Sequence, residues 1–391
     1  MATDLAIIII LGLLAGTIFT KLRLPGLLGM LILGIVIGPY GLNWLSDDIL
    51  SISGDLRKIA LVIILLRAGL GISKEQIVKV GSAAVKISCI PVLLEGFTVA
   101  LISTVILNFS FVEGGILGFI IAAVSPAVIV PAMLEYIEKG VGSAKGIPTL
   151  ILAGASIDDV FAITVFTAFI GFYSAGSVNV LTQILNIPIS IVFGIGIGFL
   201  IAMALIFLFK KYSIRDTYKV LYVLGFTILF TTLESFLQNK IAIAGLLGVM
   251  TVGFVFREKQ PDVAKVLSVK FNKIWILAEV LLFVLVGARM NITVAVNAGL
   301  IGMLIIFIGL LARSLGVILS LYGTDFNLKE KVFCMIAYSP KATVQAAIGA
   351  IPLSMGMESG DLILAIAVMA IIITAPLGSI GIRATGKKLL E

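Results

Sequence analysis

Apolar residues run along this chain in long blocks, without the polar stripe that the outer face of a soluble helix shows. Breaks at Gly, Pro or charged residues divide them into thirteen segments, at about 3–20, 25–44, 56–72, 81–107, 114–136, 147–174, 182–210, 216–237, 241–256, 265–287, 293–322, 330–353 and 360–384. A bilayer core of about 30 Å takes roughly 20 residues of helix to cross. Lipid offers the backbone no hydrogen-bond partner, so a spanning chain must be helical or form a closed barrel. Barrel strands alternate over about ten residues, and these blocks do not. The pattern predicts an all-α membrane protein of about 13 transmembrane helices, a single transmembrane unit over residues 1–391.

Composition agrees. Of the 391 residues, 60% are hydrophobic and 13% charged, with a mean hydropathy of +1.21, whereas a soluble domain is about a quarter charged. The first segment follows Asp4 without a basic stretch or a small-residue cleavage site, so it reads as the first helix rather than a removable signal. Cys89 and Cys334 lie inside apolar segments with no CxxC spacing and no histidine anywhere in the chain, which excludes a structural zinc site. No nucleophile/base set, metal cluster or phosphate loop is present, so neither an enzyme nor a bound cofactor is expected.

The net charge of +7 does not point to nucleic acid, because the basic residues sit in short loops between apolar segments and form no solvated basic face. Placing the loops alternately on two sides puts twenty-two Lys and Arg on one side and only Arg57, Lys58, Lys240 and Arg289 on the other. Basic residues mark the cytoplasmic side. The C-terminus is therefore expected in the cytoplasm, and an odd number of crossings puts the N-terminus outside a cell membrane. Two basic residues, Arg313 and Lys341, remain within apolar segments.

The chain also repeats itself. Gly26-Leu27-Leu28-Gly29 recurs as Gly245-Leu246-Leu247-Gly248, 219 residues on, and Ser125-Pro126 recurs as Ser339-Pro340, 214 residues on. Each pair is seven segments apart, so the two copies would cross the bilayer in opposite directions. Residues 1–175 and 213–391 are read as inverted repeats joined by a linker helix over 176–212. Inverted repeats with interrupted helices are a transporter architecture with its site near the midplane. The two Ser-Pro pairs predict those interruptions, because proline removes a donor and frees a carbonyl in mid-membrane.

Charges near the bilayer centre are costly and mark ion paths, proton relays or buried pairs. Asp158 and Asp159 lie halfway along the sixth segment, Glu95 in the fourth, Arg313 in the eleventh and Lys341 at the second break. Glu234 and Glu279 lie nearer segment ends. Adjacent helical residues point about 100° apart, so the two aspartates divide their tasks. A carboxylate can hold either a proton or Na⁺, and competition for it is the minimal chemistry of antiport. Glu95 and Arg313 are 218 residues apart, near the repeat offset, which suggests a salt bridge between symmetry mates. A buried lysine can lose its proton and an arginine cannot, so Lys341 reads either as a third proton carrier or as the counter-ion of Asp158.

Several runs carry a family resemblance. They are Arg23-Leu24-Pro25 with the glycines through Gly38-Pro39, Ser125-Pro126-Ala127-Val128, Ser156-Ile157-Asp158-Asp159, and Ser339-Pro340-Lys341-Ala342-Thr343-Val344-Gln345-Ala346-Ala347-Ile348-Gly349. Together they resemble the two-aspartate branch of the monovalent cation/proton antiporter superfamily, and most closely its NHA-type sodium/proton exchangers. The resemblance implies a homodimer, a mobile core working by elevator-like alternating access, and crossed discontinuous helices meeting beside the aspartates. It implies Na⁺ or Li⁺ and H⁺ as the transported ions, Asp159 as the main carboxylate with Asp158 supporting it, and Ser125, Pro126, Ser339, Pro340 and Thr343 at the breaks. Many members carry lysine where Arg313 stands, and that lysine is often given the second proton of an electrogenic cycle, a part arginine cannot play. A sodium-coupled organic-acid symporter and an ion channel are the competing readings.

Overall fold

The structure, a computed structural model, describes residues 1–71, 74–142, 144–174, 180–237 and 243–390, and every regular element among them is helical. Lys240, one of the charges expected outside, and the side chains of Lys74, Lys79 and Ser156 lie outside what is described. In chain order the helices are α1 (Ala2–Lys21), α2 (Gly26–Ile37), α3 (Asp47–Ser51), α4 (Ser53–Gly71), α5 (Lys74–Ile106), α6 (Phe111–Ala122), α7 (Pro126–Glu138), α8 (Ile147–Ser174) and α9 (Val180–Lys211). They continue as α10 (Asp216–Leu237), α11 (Gly245–Lys259), α12 (Pro261–Arg289), α13 (Ile292–Ser320), α14 (Leu328–Ala337), α15 (Thr343–Ile348), α16 (Ile351–Ser354) and α17 (Gly360–Leu390). Among the described residues, eight helical stretches are long and apolar enough to cross a membrane. Large apolar side chains such as Val105, Phe207, Val296 and Leu300 are more than two-thirds exposed, as a lipid-facing surface requires.

Departures from the expected segments have local causes. The segment expected over 25–44 stops being helical at Ile37, because Gly38 is extended and precedes Pro39, and a residue before proline disfavours the α region. The segments expected over 114–136 and 330–353 are interrupted. Pro126 opens α7 at its first turn, where its missing N–H is an orphan anyway, and residues 338–342, holding Pro340, separate α14 from α15. The short helices α3 and α16 are too brief to leave a hydropathy signal.

The described residues form two compact units. The first holds residues 1–57, 79–162 and 279–391, the second 58–78 and 163–278. In the second, α9 packs along α11, with α10 against both. Gly194 and Gly198 of α9 face the carbonyls of Ala244 and Gly248 so closely that a Cβ at either would overlap them, the small-residue spacing by which membrane helices approach. In the first, α1 packs on α2, and α13, α14, α15 and α16 all pack on α17. The helix α6 touches α13, α15 and α17.

Both interrupted helices begin with a capping box. Ser110 accepts from the Glu113 N–H while Glu113 accepts from the Ser110 N–H, and Asn327 and Glu330 do the same for α14. Gly118 of α6 leaves no room for a Cβ against the Gly96 carbonyl of α5, and Gly96 in turn faces the Phe119 ring. Replacing Gly118 by Val should force these helices apart and destabilise the protein by about 1–3 kcal/mol. The check is a thermal melt in detergent, where a lowered Tm is expected and an unchanged one would contradict the close α5–α6 approach.

Candidate ion-binding site

All the intramembrane charges singled out in Asp158, Asp159, Glu95, Arg313 and Lys341 are buried, and all belong to the first compact unit. The fold brings four of them into one network. The α8 helix carries Asp158, whose Oδ1 accepts from Arg313 Nη2 at 2.6 Å and whose Oδ2 accepts from the Val124 N–H at 2.8 Å, in the break between α6 and α7. Glu95 Oε2, from α5, accepts from Arg313 Nη1 at 2.9 Å and from Lys341 Nζ at 2.6 Å. The expected Glu95–Arg313 pair is thus present.

Lys341 departs from one of its two readings. The sequence allows it as the counter-ion of Asp158, but its ammonium sits on Glu95, and Arg313 supplies the cation at Asp158. The reason is geometric: the planar guanidinium fork reaches two carboxylates at once, leaving the second lone pair of Glu95 Oε2 for the lysine.

The two chain breaks cross and hold each other. The Ser125 N–H donates to the Pro340 carbonyl at 2.8 Å, and the hydroxyls of Ser125 and Thr343 lie 3.4 Å apart. The Lys341 N–H donates to Thr374 Oγ1 of α17 at 2.8 Å, and Gly378 of the same helix leaves space that the Pro340 ring fills. Ser339 turns its hydroxyl back to the Ile336 carbonyl at 2.8 Å and takes no part in the network. Arg313 Nε donates to the Tyr338 carbonyl at 2.5 Å, its Nη1 donates also to the Ala122 carbonyl, and its guanidinium stacks over the Tyr338 ring with 5.5 Å to the centroid.

Two contributors escaped the sequence reading. Gln345 Nε2 donates towards the carbonyls of Ile120 at 3.0 Å, Ile121 at 3.2 Å and Ala123 at 2.8 Å, which are carbonyls that the end of α6 leaves without intrahelical partners. Tyr338 fills the space above Gly154 of α8, where a Cβ would overlap its hydroxyl. A glutamine one turn after the lysine, in an otherwise apolar half-helix, was the signal available for the first. Arg313 and Gln345 thus meet the carbonyls of Ile120, Ile121, Ala122, Ala123 and Tyr338 at the breaks.

Glu95 Oε1, Tyr338 Oη and Gln345 Oε1 remain without hydrogen-bond partners among the described residues, but among the carboxylates of the site Asp159 alone lacks a cation there. It is 9% exposed, its Oδ1 is buried without a hydrogen-bond partner among the described residues, and it forms no ion pair there. Its charged neighbours are Asp158, Arg313 and Lys341. Counting formal charges, three carboxylates face two cations. The four groups of the network balance, and Asp159 is left with one negative charge that either a proton or a monovalent cation would neutralise.

A protein-family model described as sodium/hydrogen exchanger, transmembrane, matches residues 6–388. The chain belongs to the sodium/hydrogen exchanger family. Among its relatives, sodium/hydrogen exchanger 9B2 of Homo sapiens is 35% identical over 391 residues, with 94% of this chain and 70% of the relative covered. Sodium/hydrogen exchanger 9B1 of Homo sapiens is 31% identical, with 94% and 73% covered. The structure of the sodium proton antiporter MjNhaP1 from Methanocaldococcus jannaschii at pH 8 superposes with a TM-score of 0.81 at 22% identity, covering 100% of this chain and 97% of that one, which shows a shared fold. This exchanger is accordingly an integral, multi-pass membrane transporter.

Within this exchanger, Glu95 answers two buried cations. Truncating one partner of a buried ionic network leaves an uncompensated charge and costs about 3–5 kcal/mol. Glu95→Ala should therefore lower the Tm in detergent markedly, and a melting curve that matches wild type would contradict the pairing.

Proposed function

We propose that this protein exchanges Na⁺ or Li⁺ for H⁺, with proton and cation competing for Asp159 and Asp158 supporting the cation site. The observation that carries the reading is the lone buried carboxylate of Asp159 beside a charge network that is already balanced. A buried charge without a partner is expensive, so Asp159 favours a neutralising companion at all times. A proton provides it in one half of the cycle and a hard cation bound to the carboxylate oxygens in the other. Releasing one without taking the other strands the charge, which is the physical origin of coupling.

Asp158 is locked by Arg313 and by the Val124 N–H. In this role it holds α8 against the break and keeps Asp159 in register with it, while unused lone pairs on its oxygens remain able to assist the cation. Arg313 stays protonated throughout. The further proton of an electrogenic cycle would have to come from Asp158 or Lys341.

The finer architecture belongs to the same reading: about 13 crossings in two inverted repeats, the N-terminus outside, the C-terminus in the cytoplasm, a homodimer, and elevator-like alternating access. Symmetry-related contacts support the repeats. Glu95 and Arg313, and Ser125 and Thr343, are each 218 residues apart and touch, as residues near a pseudo-two-fold axis would. The capping glutamates Glu113 and Glu330 are 217 apart. Each reaches into the other repeat, Glu113 accepting from Ser359 Oγ at 2.7 Å just ahead of α17, and Glu330 from Lys145 Nζ at 2.9 Å just ahead of α8. Elevator movement is supported by the confinement of the whole site to one compact unit, which would carry it intact.

The test is reconstitution in proteoliposomes with an internal pH dye and an imposed pH gradient. Wild type should dissipate the gradient on addition of Na⁺ or Li⁺, and Asp159→Asn, reconstituted at equal density, should lose that response. Near-normal exchange by Asp159→Asn, or no response of folded wild type to any monovalent cation, would contradict the reading, the latter in favour of a symporter or channel.

A further inference from the structure

A second charge cluster lies at the opposite end of α12 from Pro261, far along the chain from the aspartates. Arg57, one turn into α4, is only 7% exposed. Its Nε donates to the Ser53 carbonyl at 3.2 Å and its Nη2 makes a long contact, 3.5 Å, with Ser354 Oγ at the end of α16. Arg289, the last residue of α12, donates from Nε to the Ser53 hydroxyl at 3.1 Å and from Nη2 to the Leu50 carbonyl. Both guanidiniums therefore converge on one buried serine, one on its carbonyl and one on its hydroxyl.

What is missing is a negative charge. None of the ion pairs among the described residues involves Arg57 or Arg289. The acids nearest in sequence, Asp47, Asp48 and Asp55, are exposed. Elsewhere the chain behaves differently, since Arg313 and Lys341 are matched by Glu95 and Asp158. Two arginines cannot relieve their repulsion by losing a proton, and a buried charge such as that of Arg57, beside a half-buried Arg289, is stable only when paired. Each guanidinium has five N–H donors, and neutral oxygens meet only the Nε and one Nη2 of each. The Nη1 nitrogens have no acceptor among the described residues and are not among the sealed, unpartnered polar atoms, so they remain reachable from outside the packed core.

We propose that Arg57 and Arg289, held together over Ser53, form a binding site for a small inorganic anion of chloride size, which acts as the counter-ion of this end of the first unit. The ligand class follows from the donors. The Ser53 and Ser354 hydroxyls spend their hydrogens on the Leu50 and Ala350 carbonyls, so the free donors are guanidinium N–H groups of two permanent cations, which select a monovalent acceptor, and the convergence of both arginines on Ser53 favours a compact one. The anion is bound and not transported, so the site is independent of the aspartates and of the exchange reaction.

The experiment compares Tm in detergent at constant Na⁺ and constant ionic strength, with chloride replaced stepwise by gluconate, which is too large to enter. Ligand that binds only the folded state raises Tm saturably. Wild type should melt several degrees higher in chloride, with a saturating dependence on its concentration. Arg289→Gln should lose the chloride dependence whatever its own Tm. Ser354→Asp places a carboxylate where the hydroxyl faces Arg57, and should raise Tm in gluconate while abolishing the response to chloride. Equal melting temperatures for wild type in the two anions overturn the proposal, as does a chloride effect that persists at full size in both variants, since that would be a bulk solvent effect.

Discussion

The structure hinges on one side chain, Arg313. A single guanidinium bonds Glu95 of α5, Asp158 of α8, and the carbonyls of Ala122 and Tyr338 at the two chain breaks. Each of these groups would be intolerable alone in a low-dielectric interior, because a buried carboxylate or an orphaned carbonyl is costly. Gathering them on one planar, permanently charged fork solves four problems at once. The crossing of the interrupted helices, the depth of α8 and the burial of Glu95 are all conditional on it, and lysine, with its point charge on a flexible stem, could not take its place with the same geometry.

From that constraint the site follows by charge balance. Arg313 and Lys341 are satisfied by Glu95 and Asp158, and Gln345 meets carbonyls that α6 leaves open. Among the described residues of the site, Asp159 is therefore the carboxylate left without an ion pair, although Glu95 Oε1, Tyr338 Oη and Gln345 Oε1 also lack hydrogen-bond partners. The proposed exchange rests on this contrast between a balanced charge network and one carboxylate left without a cation. The α7 and α15 half-helices open at Ser125 and Thr343, whose hydroxyls meet at the crossing.

Much of this was legible in the sequence, and the reasons differ by element. Apolar block length and the positions of Asp158, Asp159, Glu95, Arg313 and Lys341 announce a membrane transporter, because lipid penalises charge so heavily that each survivor is informative. The breaks were legible because proline acts locally, through its missing N–H. The Glu95–Arg313 contact was legible because an approximate repeat converts spacing into proximity. Lys341 illustrates the limit: its partner is chosen by distances between α5, α8 and the second break, and spacing alone left its role open. Gln345 shows the same limit, since its amide is one of many polar groups until the end of α6 is placed beside it. Arg57 and Arg289 read as two loop charges 232 residues apart, and only the fold brings them to the same serine.

The central claim is that Na⁺ and H⁺ compete for one carboxylate. The most direct measurement is proton release on Na⁺ binding, with NaCl titrated into purified, weakly buffered protein in detergent while pH and heat are recorded together. The account predicts that Na⁺ binding expels protons, and that fewer appear as the starting pH rises and the carboxylate is already ionised. Heat of Na⁺ binding without proton release at any starting pH would contradict it.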